Sequence, residues 1–177
     1  MSTNKDFKPK GTKRFNIPRW VILIYWPAGL LLVHASVPWG ISFLSPRLGW
    51  TEARPGIINL SALILIAIGF SIVLWKLAIH FVRTPQRVEW ERTTSYLLTH
   101  GLYQFSRNPM CLGELTLWLG WSVFFGSIPV LIAFFLLLLL LNYRVVPREE
   151  SELEETFGDS YSQYKNRVPR WFGVPRA

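Results

Sequence analysis

Two polar blocks carry the residue types that could do chemistry. The first covers residues 101–113 and reads GLYQFSRNPMCLG; the second covers 148–170 and reads REESELEETFGDSYSQYKNRVPR. In the first, Asn108 precedes Pro109, which pushes it away from helix geometry and leaves its amide and nearby backbone groups available. An aromatic ring (Tyr103), an amide (Asn108), a small residue (Gly113) and a pair of carboxylates (Glu149, Glu150) could together hold a nucleoside cofactor. Aromatic and aliphatic groups would take the base, amides its edge, and carboxylates the ribose hydroxyls or an ammonium. Other chemistries lack their signatures. There is no GxGxxG, no P-loop and no Ser-His-Asp order, and His34, His80 and His100 are too scattered for a metal site.

The blocks flank two apolar runs, and those runs dictate what must position them. Of the 177 residues, 50% are hydrophobic and only 17% charged, with the apolar residues gathered into long stretches. Residues 21–37, 57–82 and 128–146 meet the length that spans hydrocarbon, about 20 residues or slightly fewer. A fourth stretch, 110–125, is interrupted only by Glu114. The expectation is an all-α polytopic membrane bundle of about four transmembrane helices with a cytoplasmic, helical, cofactor-binding C-terminal segment. Residues 1–19 form a basic cytoplasmic arm, with 1–15 disordered, and 20–177 a single membrane domain whose cofactor half is about 95–170. Residues 39–44 are too short to span and read as a re-entrant or interfacial turn.

Lysines and arginines crowd the arm, the second connection (Arg83, Arg87, Arg92, Arg107) and the C-terminal segment from Arg144 onward. The first connection carries only Arg47 and Arg54, and the third has no charge. By the positive-inside rule both termini and the second connection are cytoplasmic. The net charge of +8 therefore points to anionic lipid headgroups rather than nucleic acid. Cys111, the single cysteine, cannot form an internal disulfide. Cleavage of the N-terminus as a signal peptide is not expected, because Trp26 and Pro27 interrupt its apolar core.

Several residues then need an environment. Lys76 and His80, four apart, share a face near the end of the second span, at headgroup level or against a substrate. Glu114 sits one turn inside a span, which is costly unless it faces protein or a watery cavity. It could pair with Arg107 or bind a ligand cation. Pro147 interrupts the last helix and suits the start of a new one, whose first turns hold Glu149, Glu150 and Glu152. Gly158 ends that helix, and Asp159 can cap a final one that stops before Val168. On this last helix Tyr161, Tyr164 and Val168 share a face expected to pack on the bundle.

The block at 101–113, a Glu-Glu pair, and then FG..Y..Y...VPR together resemble the isoprenylcysteine carboxyl methyltransferase family. Phospholipid N-methyltransferases share a related two-part pattern. The resemblance covers about 95–170. It implies helical membrane proteins that bind S-adenosylmethionine in a cytoplasmic pocket and methylate lipophilic, membrane-embedded acceptors such as a prenylcysteine-like carboxylate. The cofactor contacts it implies are Ser95, Tyr96, Leu97, Leu98, Tyr103, Asn108, Pro109, Met110, Cys111 and Glu149. Arg144 would hold the acceptor carboxylate, with Arg148 a rival because the spacing to Glu149 is one residue off. The family's common RHP is RNP here, and its usual Tyr before Leu-Gly is Cys111. The implied reaction is in-line displacement of the methyl group from a sulfonium. An ionised carboxylate needs no base, and proximity and orientation do most of the work. For an amine or thiol acceptor, Glu114, Glu149 or Glu150 could take the proton. Glu114 and the two arginines are thus candidate acceptor contacts, and Arg144 and Glu150 the candidate catalytic pair. Two other readings stand beside this one. One is a sterol or enone reductase using NADPH, with Arg83, Arg87 and Arg92 around its phosphates; the other is a non-catalytic membrane protein.

Overall fold

The computed structural model describes residues 32–83, 87–89 and 97–176, together with Asn16–Pro18 and isolated positions of the first apolar run. The arm at 1–15, most of the expected first span, Ser95 and Tyr96 lie outside the described residues. A short apolar helix, α1, covers Leu32–Leu44. It opens with a π turn, passes Pro38 near the start of its α-helical part, and ends as a 3₁₀ turn. Residues 39–44 therefore continue a helix instead of forming a separate re-entrant turn. Strands β2 (Trp50–Thr51) and β3 (Arg54–Pro55) form a tight hairpin leading into α2, Ile57–Arg83. Earlier in the chain, β1 (Asn16–Pro18) pairs antiparallel with β4 (Arg87–Glu89), which follows α2.

A 3₁₀ turn at Gly101–Gln104 precedes α3, Pro109–Phe125. Pro109 suits the first turn because its missing N–H has no intrahelical partner there anyway. Gly126 closes α3 at φ +56°, a left-handed conformation that favours glycine. Next comes α4, Ile128–Leu140, then a π turn at Leu141–Val145, then α5, Val146–Phe157. Pro147 does not break this rod. It cannot donate to the carbonyl of Tyr143, and the wider π turn just before it absorbs the mismatch, with the Val146 N–H donating to Leu141 O. Gly158 makes the real break, and Asp159 becomes the first residue of α6, Asp159–Arg167, rather than its cap.

The fold is mostly helical, and among the described residues two helices are long and apolar enough to cross a membrane: Ile57–Ile79 and the rod Ile128–Phe157. The apolar part of that rod ends at Val146, where the acidic run begins. Helices α2 and α3 pack antiparallel through small residues. A Cβ on Gly69 would stand 2.8 Å from Gly113 O, and one on Gly120 would stand 2.7 Å from Ile66 Cγ1. Small residues let backbones approach closely where lipid gives helices no hydrophobic drive to associate. Ile66, Val73 and Leu117 fill that seam. On its other side α3 packs, through Cys111 and Leu115, on Leu141 of the π turn and Val146 at the start of α5. The outer face of α4 leaves Ile132, Phe135, Leu136, Leu139 and Leu140 exposed, as a lipid-facing helix should.

Candidate functional site

The two polar blocks meet, and the meeting is made by the chain's C-terminal tail. Arg107 N donates to Pro169 O (3.0 Å), and the Asn108 side-chain amide donates to Arg170 O (3.2 Å). Ser106 Oγ accepts from Asn108 N at 3.0 Å, which forms the corner ahead of Pro109. The Asn108 amide is therefore not left free by the turn, as its position before proline suggested. It is buried and holds the tail.

Glu150 lies under this corner with 4% of its surface exposed. Arg170 grips it with Nη2 at 2.7 Å from Oε2 and Nε at 3.2 Å from Oε1, and Arg107 Nη1 stands 3.3 Å from Oε1. Arg107 thus pairs with Glu150 and not with Glu114. Burial pushes the Tyr161 phenol up to about 12, so it stays neutral beside Arg107 and leaves the charge balance to Glu150. A buried carboxylate between two guanidiniums costs much to break, because each partner is left desolvated. Tyr161, Tyr164 and Val168 do form one buried face, against Leu97, Tyr103, Leu153 and Phe157. The Tyr164 hydroxyl donates to Tyr103 O at 2.8 Å, tying α6 to the first block.

Glu149, one residue away, has a different setting. It lines a recess of about 420 Å³ with Arg144, Val145, Arg148 and Glu152. Arg148 Nε bonds Glu152 at 3.1 Å, four residues on, while Arg144 is exposed at the rim. Lys76 of α2 stands against Tyr103 of the first block. Lys76 Nζ lies 2.6 Å from Tyr103 Oη and 5.0 Å from that ring's centroid. Cys111 and Glu114, on the first turns of α3, share the same electrostatic neighbourhood.

The structure thus gathers Tyr103, Cys111, Glu114, Glu149, Arg144 and Arg148 at one end of the bundle. Leu98, Asn108 and Pro109 are buried in its scaffold, Met110 is partly buried, and Leu97 joins the tyrosine cluster. Sequence reasoning left two features underweighted. Lys76 had only its four-residue spacing to His80, whose side chain lies outside the described residues. The Arg107–Glu150–Arg170 clasp joins residues far apart in the chain, and only the closing Val-Pro-Arg hinted at it.

A helical bundle with lipid-facing apolar surface and a charged recess at one end defines a membrane protein able to hold a polar ligand beside the bilayer. Residues 57–160, from the start of α2 to the start of α6, match the family model described as phospholipid methyltransferase. That is more than half of the chain, which belongs to this methyltransferase family. It is 36% identical over 62 residues to an uncharacterized protein of Haemophilus influenzae. It is 34% identical over 79 residues to the protein-S-isoprenylcysteine O-methyltransferase of Schizosaccharomyces pombe. It is also 32% identical over 109 residues to the Delta(14)-sterol reductase of Methylotuvimicrobium alcaliphilum. These matches take in 35%, 45% and 55% of this chain, and 98%, 33% and 25% of the respective relatives.

Proposed function

We propose that this protein transfers a methyl group from S-adenosylmethionine to a lipophilic acceptor held in the membrane. The observation that carries this reading is the recess that Glu149 lines with Arg144, Arg148 and Glu152, inside the family-matched segment. The recess volume falls within the range of about 300–1,000 Å³ common to small-molecule sites. Its lining fits the cofactor: carboxylates for ribose hydroxyls or an ammonium, and guanidiniums for a carboxylate. When bound, the cofactor supplies a methyl group on a positively charged sulfur.

The chain's own residues do the rest. The resemblance assigns further cofactor contacts to Ser95, Tyr96, Leu97, Leu98, Tyr103, Asn108, Pro109, Met110 and Cys111. Arg144 holds an acceptor carboxylate, since Arg148 is already bonded to Glu152. Such an acceptor is ionised at neutral pH, so orientation dominates the barrier. For an amine or thiol acceptor, Glu114 is the group left to take the proton, because arginines occupy both oxygens of Glu150. Four spans, with both termini and the recess on the cytoplasmic side, follow from the charge distribution.

The reductase relative makes NADPH the natural control. Thermal unfolding of the detergent-purified protein should shift upward with S-adenosylmethionine and S-adenosylhomocysteine and not with NADPH, since a ligand that binds the folded state stabilises it. Stabilisation by NADPH alone would move the chain to the reductase class. Within the methyltransferase reading, Glu149→Ala should weaken S-adenosylhomocysteine binding by roughly tenfold or more. Arg144→Ala should keep that binding and lose turnover of farnesylcysteine-type acceptors by a similar factor. Equal cofactor affinity in wild type and Glu149→Ala would sink the assignment of Glu149.

A further inference from the structure

We infer that the loop from Arg170 to Arg176, together with Phe105, is a wedge that inserts into the headgroup–acyl boundary of the bilayer. The inference stands on the membrane assignment alone and holds whatever the recess binds.

The course of the tail carries it. Arg170 grips Glu150, while its neighbour Trp171 donates from Nε1 to Asn142 Oδ1 at 3.2 Å. Those two anchor points lie eight residues apart on the α4–α5 rod, about 12 Å of helix. The tail therefore runs back along the rod toward its apolar part. Asn142 is the first polar residue after the unbroken apolar run 128–141, and Tyr143 beside it is exposed. Trp171 thus sits where the hydrocarbon ends, packed against the cluster of Cys111, Leu115, Leu141 and Val146. Trp and Tyr gathered at that level form the aromatic belt expected of a membrane protein.

From there the chain turns back. Gly173 N donates to Phe105 O at 3.0 Å, and Arg176 N donates to Arg167 O at 2.8 Å. The loop is tied down around its tip, and what it holds out is apolar: Phe172 is 76% exposed and Val174 84%. The Phe172 ring stacks on Phe105, itself exposed, with centroids 6.5 Å apart. A tip fixed by backbone hydrogen bonds does not fold its rings inward, so water is a costly partner for it.

The bilayer fits this tip better than a second copy of the chain does. Three such side chains present on the order of a few hundred Å², short of the roughly 800 Å² per partner of a stable protein interface. Apolar faces of interfacial segments bury about 5–10 Å into the headgroup boundary, the level that Trp171 and Tyr143 mark. Arg167 and Arg176, both exposed at the base of the loop, suit anionic headgroups.

The test places a fluorophore on the tip of the full-length protein, in a Cys111→Ser background, in phosphatidylcholine–phosphatidylglycerol vesicles. Labels at Phe172→Cys and Val174→Cys are compared with Leu139→Cys on the lipid-facing side of α4 and Glu155→Cys on the exposed side of α5. Lipids brominated high on the acyl chain should quench both tip labels several-fold more than the Glu155→Cys label, and to a degree close to the Leu139→Cys label. Aqueous iodide should rank the four positions in the opposite order. Val174→Cys leaves the stacked rings intact, so it decides the matter if Phe172→Cys disturbs the loop. Tip labels that iodide reaches as readily as Glu155→Cys, with no response to brominated lipid, overturn the inference. Tip labels shielded from both quenchers also overturn it, and point to a protein partner instead of lipid.

Discussion

The two ends of the α2–α3 pair are built on opposite plans. At the end bearing the β2–β3 hairpin, backbone and side-chain groups close on one another, with the buried Ser127 hydroxyl left unpartnered among the described residues. Asn59 Nδ2 reaches Leu48 O, Val123 O and Phe124 O at 3.1, 2.9 and 3.0 Å, which satisfies carbonyls that the end of α3 would leave open. Trp50 Nε1 donates to Phe124 O at 2.8 Å, and Leu48 N to Gly126 O at 3.0 Å. The Arg47 guanidinium lies among Phe43, Trp50 and Phe125 and donates to Ser42. At the other end Arg144, Arg148, Glu149 and Glu152 line a recess, and Arg144, Arg148 and Glu149 are exposed. The closed end contributes stability, and the open end presents charged side chains to its surroundings. Substitutions at the first should change unfolding and leave affinity alone; substitutions at the second should do the reverse.

Gly126 offers the sharpest break at the closed end. A Cβ there would collide with Leu48 O, and the residue sits at φ +56°. Gly126→Ala should cost on the order of 3–4 kcal/mol in detergent unfolding, combining left-handed strain with a displaced backbone. The fraction that remains folded should bind S-adenosylhomocysteine with wild-type affinity. An affinity change larger than the stability change would mean that the two ends are coupled through the α2–α3 seam.

A second comparison lies within the open end, between two adjacent carboxylates. Glu150→Gln removes the charge that balances Arg107, whose side chain is 9% exposed, and Arg170. The expected loss is about 2–3 kcal/mol of stability, below the value for a fully buried pair because Arg170 is partly in water. Glu149→Gln should leave stability within about 0.5 kcal/mol, as for substitutions away from buried networks, and act on ligand affinity instead. Paired denaturant titrations and calorimetry on the two variants check this directly. If both variants lost stability alike, the recess would be part of the scaffold and not a site.

This contrast also shows what the sequence could and could not reveal. Apolar length and charge placement made α2 and the α4–α5 rod legible, because hydrocarbon thickness acts on each segment separately. The tyrosine face of α6 was legible for a similar reason: Tyr161, Tyr164 and Val168 follow a local period. Adjacent Glu149 and Glu150, by contrast, read alike, since nothing local distinguishes a carboxylate under Arg107 and Arg170 from one that lines an open recess. Their fates depend on a tail that returns across the first block, a long-range contact with no periodic signature. Asn108 was misjudged in the same way. Its position before proline described the turn correctly but could not show that Arg170 O would take its amide. Pro147 looked like a break because its lost hydrogen bond is a local fact, whereas the π turn that accommodates it depends on the whole rod.

The smallest expected effect lies in the β2–β3 turn. The register Trp50↔Pro55 and Thr51↔Arg54 leaves a two-residue connection, Glu52 and Ala53, both at positive φ (48° and 61°). Such turns match the twist of a hairpin but favour Asn or Gly, since a Cβ crowds the carbonyl in this region at a cost of roughly 1 kcal/mol per residue. Ala53→Gly relieves that strain while adding freedom to the unfolded chain, which takes back about 0.4–1 kcal/mol. The balance favours the variant by a few tenths of a kcal/mol. The gain should appear in unfolding of the detergent-solubilised protein and be absent from cofactor affinity. A loss instead would mean that the Ala53 methyl makes a packing contact worth more than the strain, and that the closed end is held by its hairpin as well as by Asn59.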